Sequence, residues 1–409
     1  GCPAMADGCT PGSPPQGGCG GKTTGAHDCG DEPQWGARRP QPSVQPFWVG
    51  DRLCLRHGEV NYVLDGPEEA ESLVVCIHGI NSSIAAYEKL APRLKAQGVR
   101  VLVYDLYGFG LSASPSRLTL DVYIDQLADL LDAVTAGAGS GESPTTDAAA
   151  PPAASRKPLR VCLLGYSMGG VVAVEFARRH PKRVAQLLLV ATGGLLVKEE
   201  TPCRPLLFGC LRRRVRGACF LGSVRAVLAC AACACGGLIR RKALKSSGFK
   251  DMATPDVEDP RLFEDYIGLT QERLLVSLVR TVGSYLRALR HMPLWAEEFE
   301  DAFAEVAEGP VPVLFFWGDE DGTIPWGEVG PMLAKLFAPK GASCIFFPDA
   351  GHGLLLERAE QIAPLAAAWC TGSQDPDWIK CLEKSRLRAP PGSEASPELP
   401  SAGAAAPAE

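Results

Sequence analysis

The chemistry of this chain centres on residues 165–170, which read Gly-Tyr-Ser-Met-Gly-Gly. An apolar run at 159–164 precedes them, and a run with helical spacing at 171–180 follows. A strand, a sharp turn and a helix in this order expose the hydroxyl of the central Ser167, and small flanking residues let the backbone turn tightly. The N-terminus of the helix presents free N–H groups, which favour negative charge. The pattern predicts a nucleophilic serine; the alternative is a glycine-rich helix start with a coincidental serine.

A serine hydroxyl is a weak nucleophile, so it needs a base beside it that a carboxylate holds in place. The chain has six histidines. His352 follows the last predicted strand directly, at the carboxyl end of the sheet, where such a base is expected. His78 also follows a strand and is the second candidate. The other four fall in an N-terminal arm, a hairpin turn, a helix end and an inserted helix: His27, His57, His180 and His291.

Three acidic residues compete for the role of the carboxylate. Asp319, Glu320 and Asp321 directly follow the apolar strand 311–317. Acidic turns are commonly just solvated, but this one lies at the edge of the predicted sheet where the serine and the histidine are expected. Serine, aspartate and histidine, in that order along the chain, form one of the known orders for a catalytic triad. The residues alone therefore predict a serine–carboxylate–histidine site.

The elements that must position these residues alternate along the chain. Apolar strands alternate with segments of helical spacing, and a hairpin precedes them at 51–64. This alternation predicts the α/β class, with a mainly parallel sheet flanked by helices on both faces. The predicted strands are 72–77, 99–105, 159–164, 184–191, 311–317 and 343–347, and the predicted helices include 83–97, 118–135, 171–180, 328–337 and 354–369.

Changes in composition predict the domain organisation. Segments rich in Gly, Pro, Ala and Ser cannot bury enough apolar surface to offset chain entropy, so we expect them to be disordered. A surface loop tolerates a long insert because closure entropy grows slowly with length. The predicted divisions are a disordered arm at 1–46, a core at 47–196 and 310–371 with a low-complexity insert at 136–158, a helical insertion at 197–309, and a disordered tail at 372–409.

Over roughly residues 47–371 these motifs resemble the α/β-hydrolase superfamily, and in particular its esterases and monoacylglycerol lipases. The block at 197–309 stands where that superfamily carries its variable helical cap. The resemblance implies that Ser167 is the nucleophile and His352 the base. It assigns the acid to Asp321, because the family pattern places an aspartate between a glycine and a proline as in Gly318, Asp321 and Pro325. Asp319 is the reserve candidate.

The resemblance also implies an oxyanion hole formed by two backbone N–H groups, those of Met168 and Ile80. His78 then shapes the loop that carries Ile80. Asn81 and Tyr166 are expected to line the substrate pocket, with helix capping near Ser83 as the alternative role of Asn81.

The predicted function is a serine hydrolase that cleaves an apolar carboxylic ester or acyl lipid through an acyl-enzyme, with no metal or organic cofactor. A carbon–carbon bond hydrolase and an acyltransferase are alternatives on the same fold. Some acyltransferases of the superfamily have an aspartate five positions after the histidine, whereas this chain has Glu357 there, which disfavours acyl transfer. A non-catalytic ligand-binding protein is the other class, and the complete triad argues against it.

Composition limits the partners. The 409 residues are 46% hydrophobic and carry a net charge of -6, which gives no reason to expect a nucleic acid partner. We expect no secretory leader, a cytoplasmic location, and mostly free thiols among the 16 cysteines. Within the cap, the apolar run 217–239 has basic flanks, so the region 212–242 is either a pair of helices over the site or a patch that contacts a membrane surface.

Overall fold

The computed structural model of the protein describes residues 49–136, 159–197 and 278–388. The predicted insert at 136–158, apart from its first residue, and most of the predicted cap, 198–277, lie outside these residues, as do the arm and the end of the tail. Eight strands form one sheet. They are β1 (Asp51–Leu55), β2 (Gly58–Asp65), β3 (Ser72–Ile77), β4 (Arg100–Tyr104), β5 (Arg160–Tyr166), β6 (Gln186–Val190), β7 (Val313–Gly318) and β8 (Ser343–Phe347).

Nine α-helices are described within the same ranges. They are α1 (Leu90–Ala96), α2 (Leu120–Ala136), α3 (Met168–Arg179), α4 (Leu278–His291), α5 (Ala296–Glu308), α6 (Trp326–Phe337), α7 (Leu354–Glu357), α8 (Ala359–Thr371) and α9 (Pro376–Lys384). Short 3-10 turns lie at Ile84–Tyr87, Pro181–Arg183 and Ala338–Lys340.

The sheet has the strand order β1-β2-β4-β3-β5-β6-β7-β8. β1 and β2 form the predicted hairpin and β2 pairs with β4 antiparallel, whereas all the other pairs are parallel. Every residue of β3, β6 and β7 is buried, as expected for strands covered on both faces. The predicted α/β class with a mainly parallel sheet is therefore confirmed.

Two apolar layers flank the sheet. On one face, residues of α2, α3, α5 and α6 pack into a cluster that includes Phe176, Phe303 and Phe337. On the other face, α1, α8 and α9 contribute a second cluster that includes Leu94 and Ile362. Because parallel strands end at one edge of such a sheet, side chains placed just after β5, β7 and β8 come together there.

The end of the predicted cap belongs to the core. Helix α5, which ends at Glu308, packs against α3, and its Phe303 is fully buried in the first apolar cluster. Phe299, Phe303 and Val306 recur at helical spacing, so one face of α5 covers the sheet. The predicted boundary at 309/310 is therefore too late, because α5 forms part of the core layer.

The prediction of a disordered tail from 372 is wrong for its first part. Asp375 caps α9 by accepting from the N–H groups of Asp377 and Trp378 at 2.8 and 3.2 Å, and Pro376 occupies the first turn. Trp378 is buried under the sheet. The Ser343–Arg386 bridge then adds the following segment to the edge of β8. The capped first turn and the buried Trp378 hold this helix against the sheet, in a segment whose composition alone suggests polar coil.

The expectation of mostly free thiols has one exception among the described residues. Cys162 in β5 and Cys370 in α8 form a disulfide, with their Cα atoms 5.4 Å apart. Their sequence separation of 208 residues hides this pairing from any local pattern. Among the described residues, Cys54, Cys76, Cys344 and Cys381 are free. No helix in the described ranges has the length and apolarity needed to span a membrane. The region 212–242 lies outside those ranges.

Candidate active site

The serine turn, residues 165–170, links β5 to α3. Ser167 has φ 54° and ψ −121°, a left-handed conformation that a non-glycine residue rarely adopts. The neighbouring glycines make this geometry accessible. A Cβ on Gly165 would lie 2.7 Å from the Gly170 Cα, and one on Gly169 would collide with the carbonyl oxygen of Ile77. The serine is thus held by backbone sterics, and its side chain faces the carboxyl edge of the sheet.

Three predicted residues form one hydrogen-bonded chain. The Oγ of Ser167 lies 3.1 Å from Nε2 of His352. On the far side of the ring, Nδ1 of His352 lies 2.8 Å from Oδ2 of Asp321. The Asp321 side chain is fully buried and that of His352 is only 12% exposed. The three residues follow β5, β7 and β8, so the sheet brings together groups that lie far apart in the sequence.

The structure distinguishes between the acids that compete after β7. The second oxygen of Asp321, Oδ1, accepts from the N–H groups of Thr323 and Ile324, both at 2.8 Å. These two donors fix the carboxylate in a single orientation toward the histidine. Asp319 is exposed, and its Oδ1 accepts instead from the N–H of Ala350 at 3.4 Å. Glu320 is exposed as well.

His352 lies in the histidine loop, residues 348–353, between β8 and α7. Side chains hold this loop from three directions. The hydroxyl of Tyr166 donates to the carbonyl oxygen of His352 at 2.9 Å. The buried carboxylate of Glu357 accepts from the Gly351 N–H at 2.8 Å. Arg358 donates to two loop carbonyl oxygens, those of Pro348 at 3.1 Å and Asp349 at 3.0 Å.

The sequence alone does not predict that Glu357 and Arg358 hold the histidine loop. Arg358 follows no recognisable pattern in the sequence, and Glu357 stands out there only as a departure from an acyltransferase pattern. Neither has a local motif that would have identified it. Tyr166 is expected from the sequence to line the substrate pocket, and in the structure its ring centroid lies 5.2 Å from that of His352; its pocket role stays a prediction.

The loop that carries the predicted oxyanion N–H of Ile80 passes directly against the serine. A Cβ on Gly79 would lie 2.9 Å from the Ser167 Cβ, so only glycine allows this approach. Fully buried His78 fixes the loop: its Nε2 accepts from the Leu106 N–H at 2.9 Å, and its Nδ1 then donates to the Gly79 carbonyl oxygen at 2.8 Å. His78 therefore shapes the loop, while Met168 stands at the start of α3 on the other side of the serine.

Asp105 anchors the next stretch of the same loop. Its buried carboxylate accepts from the N–H groups of Ile84 at 2.8 Å and Leu111 at 2.7 Å. The cap of the 3-10 turn that begins at Ile84 is Ser83, whose Oγ accepts from the Ala85 N–H at 3.3 Å. Asn81 is exposed, with φ 56°, and does not cap this turn. Its pocket role stays a prediction.

The two buried free thiols of the sheet, those of Cys76 and Cys344, offer no competing nucleophile. Burial raises the pKa of Cys76 and of Cys344 well above the ordinary value, which leaves both as neutral thiols at physiological pH. The described residues contain no group of three or more His, Cys, Asp or Glu side chains arranged to hold a metal ion.

Comparison with known proteins identifies the class. The family model described as alpha/beta hydrolase family matches residues 74–365, which is more than half of the chain. The chain belongs to this family, and its sheet has the α/β-hydrolase fold. A solved structure, the esterase EaEST from Exiguobacterium antarcticum, superposes with a TM-score of 0.54 at 17% identity, covering 79% of this chain and 99% of that one. At this identity the likeness shows the fold alone.

Two curated relatives show the range of activities among proteins similar in sequence to this chain. The dihydrolipoyllysine-residue acetyltransferase component of the acetoin cleaving system of Pseudomonas putida is 27% identical over 326 residues, covering 78% of this chain and 67% of that protein. The pimeloyl-(acyl-carrier protein) methyl ester esterase of Chromobacterium violaceum is 41% identical over 128 residues, covering 31% of this chain and 40% of that protein. The second match spans less than half of either protein. Family membership indicates a hydrolase.

Proposed function

We propose that the protein is a serine hydrolase that cleaves an apolar carboxylic ester or acyl lipid through Ser167, His352 and Asp321. One observation carries the proposal: the unbroken chain of hydrogen bonds from Ser167 Oγ through both ring nitrogens of His352 to the buried Asp321 carboxylate. Both links are short enough for the proton transfer that a serine nucleophile requires.

In the first half of the reaction, Ser167 Oγ attacks the carbonyl carbon of the ester. Its proton passes to Nε2 of His352, and the Asp321 carboxylate stabilises the imidazolium through the Nδ1–H bond. The carbonyl oxygen becomes an oxyanion, which accepts from the N–H groups of Met168 and Ile80. One such donor contributes about 3 kcal/mol of transition-state stabilisation.

The tetrahedral intermediate then collapses. The C–O bond to the leaving alcohol breaks, and His352 returns its proton to the departing oxygen. Water, deprotonated by the same imidazole, attacks the acyl-enzyme and releases the carboxylic acid, which restores Ser167. Every step uses groups of this chain and water, so the proposed reaction needs no metal or organic cofactor.

The relatives support an ester or acyl substrate, since one is named as a methyl ester esterase and the other as an acetyltransferase component. Acyl transfer is the second candidate, because an alcohol or thiol can replace water at the acyl-enzyme. A carbon–carbon bond hydrolase would use the same residues. We propose further that the protein acts in the cytoplasm, and that the region 212–242 either covers the active site or contacts a membrane surface.

A serine-reactive fluorophosphonate probe tests the nucleophile. We expect the wild-type protein and Ser343→Ala to be labelled. Ser343 begins β8, at the end of that strand opposite the histidine loop, and its Oγ donates to the Leu382 carbonyl oxygen. We expect Ser167→Ala to be unlabelled. Labelling of Ser167→Ala equal to the wild type would contradict the assignment.

Substrate class is tested with p-nitrophenyl esters of graded acyl length, with and without anionic lipid vesicles. An apolar substrate predicts that kcat/KM rises with chain length, and a membrane-contacting cap predicts that vesicles increase the rate for long chains. Binding of these esters without turnover at any length would instead favour a non-catalytic binding protein. Added alcohol acceptors would reveal acyl transfer as ester products in place of free acid.

A further inference from the structure

We infer that Tyr166 is a positioning residue that holds His352 in line with Ser167 and Asp321. The inference rests on the proposed function, since it concerns the geometry of the proposed base. It assigns to Tyr166 a role other than the pocket lining expected from the sequence.

The first observation is the hydrogen bond from Tyr166 Oη to the carbonyl oxygen of His352, at 2.9 Å. His352 lies in a loop with neither helical nor strand structure, bounded by Asp349 at φ 53° and by α7. The main chain of a loop has few regular hydrogen bonds to fix it, so a side-chain donor on the carbonyl of His352 itself restrains the residue directly.

The second observation is the ring contact. The centroids of the Tyr166 and His352 rings lie 5.2 Å apart, with their planes inclined at 35°. A large aromatic ring at this distance limits rotation of the imidazole about its side-chain bonds. The backbone hydrogen bond and the ring contact therefore act on the two parts of His352 that decide where Nε2 points.

The position of Tyr166 in the fold explains how it can hold His352 in place. It is the last residue of β5, is paired with Val190 of β6, and directly precedes Ser167. The rigid end of a central strand thus fixes the nucleophile through the backbone and the base through a side chain. An error of about 1 Å in the relative position of such groups can cost about 100-fold in rate.

A role in lining the substrate pocket predicts different effects of changing Tyr166 from a role in positioning His352. A phenol has one O–H to donate, and in this structure it points to the His352 carbonyl oxygen. A pocket residue would contact the acyl chain and change substrate affinity. A positioning residue changes the rate of the chemical step and leaves affinity almost unchanged.

The test compares Tyr166→Phe with Tyr123→Phe. Tyr123 is buried, and its hydroxyl donates to a carbonyl oxygen, that of Tyr107, at 3.2 Å, so the control also loses a tyrosine hydroxyl bound to the main chain. We expect Tyr166→Phe to lower kcat and the rate of fluorophosphonate labelling by about fivefold to tenfold, as the loss of one hydrogen bond allows, with KM within about twofold. Tyr123→Phe should match the wild type in all three.

A second readout does not depend on turnover. The proton on Nδ1 of His352, shared with Asp321, should give a downfield proton NMR resonance, which we expect to broaden or disappear in Tyr166→Phe and to persist in Tyr123→Phe. A changed KM with unchanged kcat would make Tyr166 a pocket residue and overturn the inference. So would a resonance and a labelling rate equal to the wild type. Failure of the proposed function would show itself separately, as a wild-type protein that keeps the resonance but is never labelled at Ser167.

Discussion

The serine turn and the histidine loop face each other across the site, and they are held in different ways. Backbone sterics hold the turn: glycine at 165, 169 and 170 lets the chain pack where a Cβ would collide with neighbouring atoms. Side chains hold the loop: Tyr166, Glu357 and Arg358 bond to its carbonyl and N–H groups. A motif can encode the first kind of restraint locally, whereas the second depends on residues that only the tertiary fold brings together.

The largest effect should come from Asp321→Asn. Oδ1 accepts from two backbone N–H groups, so the amide oxygen of the asparagine must occupy that position. The NH2 group then faces Nδ1 of His352 and forces the ring proton onto Nε2, which can no longer accept from Ser167. We expect kcat to fall about 10⁴-fold with little loss of stability. Asp319→Asn, at an exposed neighbour, should stay within a fewfold of wild type in the same assay; equal losses in both variants would contradict the assignment of the acid.

A smaller loss of activity should follow from Gly169→Ala, which disturbs the backbone packing that holds the serine turn. The added Cβ collides with the Ile77 carbonyl oxygen, a backbone atom that cannot move without shifting β3. We expect labelling of Ser167 to slow about 100-fold, as the hydroxyl is displaced from the imidazole. Gly327→Ala is the matched control, because nothing lies within 4 Å of its Cβ. Normal labelling of Gly169→Ala would show that sterics do not fix the turn.

Glu357 offers the corresponding test for the histidine loop. Replacement by Met keeps the size of the side chain but removes the acceptor of the buried Gly351 N–H, which costs about 1–3 kcal/mol. Glu357→Gln keeps an uncharged acceptor at the same place. We expect the labelling rate to fall about tenfold in Glu357→Met and by less in Glu357→Gln. Equal losses in the two variants would mean that the charge of Glu357, which both replacements remove, rather than its hydrogen bond, supports the loop.

The same contrast explains what could be predicted from the sequence. The central strands were predictable because each is a run of apolar residues buried on both faces, and Ser167, His352 and Asp321 because each follows a buried strand within a short motif. Tyr166 and His352 are 186 residues apart, and the disulfide partners 208 residues apart. No local pattern reports such contacts. The tail helix α9 was missed because its order depends on Trp378 reaching the apolar layer.

The smallest effect on activity should come from the far end of α3, the helix that begins at the serine turn. Glu175 accepts from Arg178 Nε at 2.8 Å and from Arg179 Nε at 2.6 Å. Burial by itself would raise the pKa of this carboxyl, but the hydrogen bonds from Arg178 and Arg179 outweigh it and hold the pKa below its ordinary value. The unfolded chain therefore binds the proton more readily, so Glu175 stabilises the fold above its ordinary pKa of 4.5, and this contribution is lost as the pH falls through the folded value.

Glu175→Gln should accordingly lower the free energy of unfolding at pH 7 by about 1–2 kcal/mol, since it weakens charge-assisted hydrogen bonds of a partly exposed cluster. The difference from wild type should shrink as the pH drops below 4.5, and urea unfolding at a series of pH values measures it. Labelling of Ser167 at pH 7 should stay unchanged, because the turn is fixed by glycine contacts at the opposite end of the helix. Slower labelling in the folded variant would mean that the ion pairs of α3 contribute to the position of the serine, and that sterics alone are not sufficient to hold the turn.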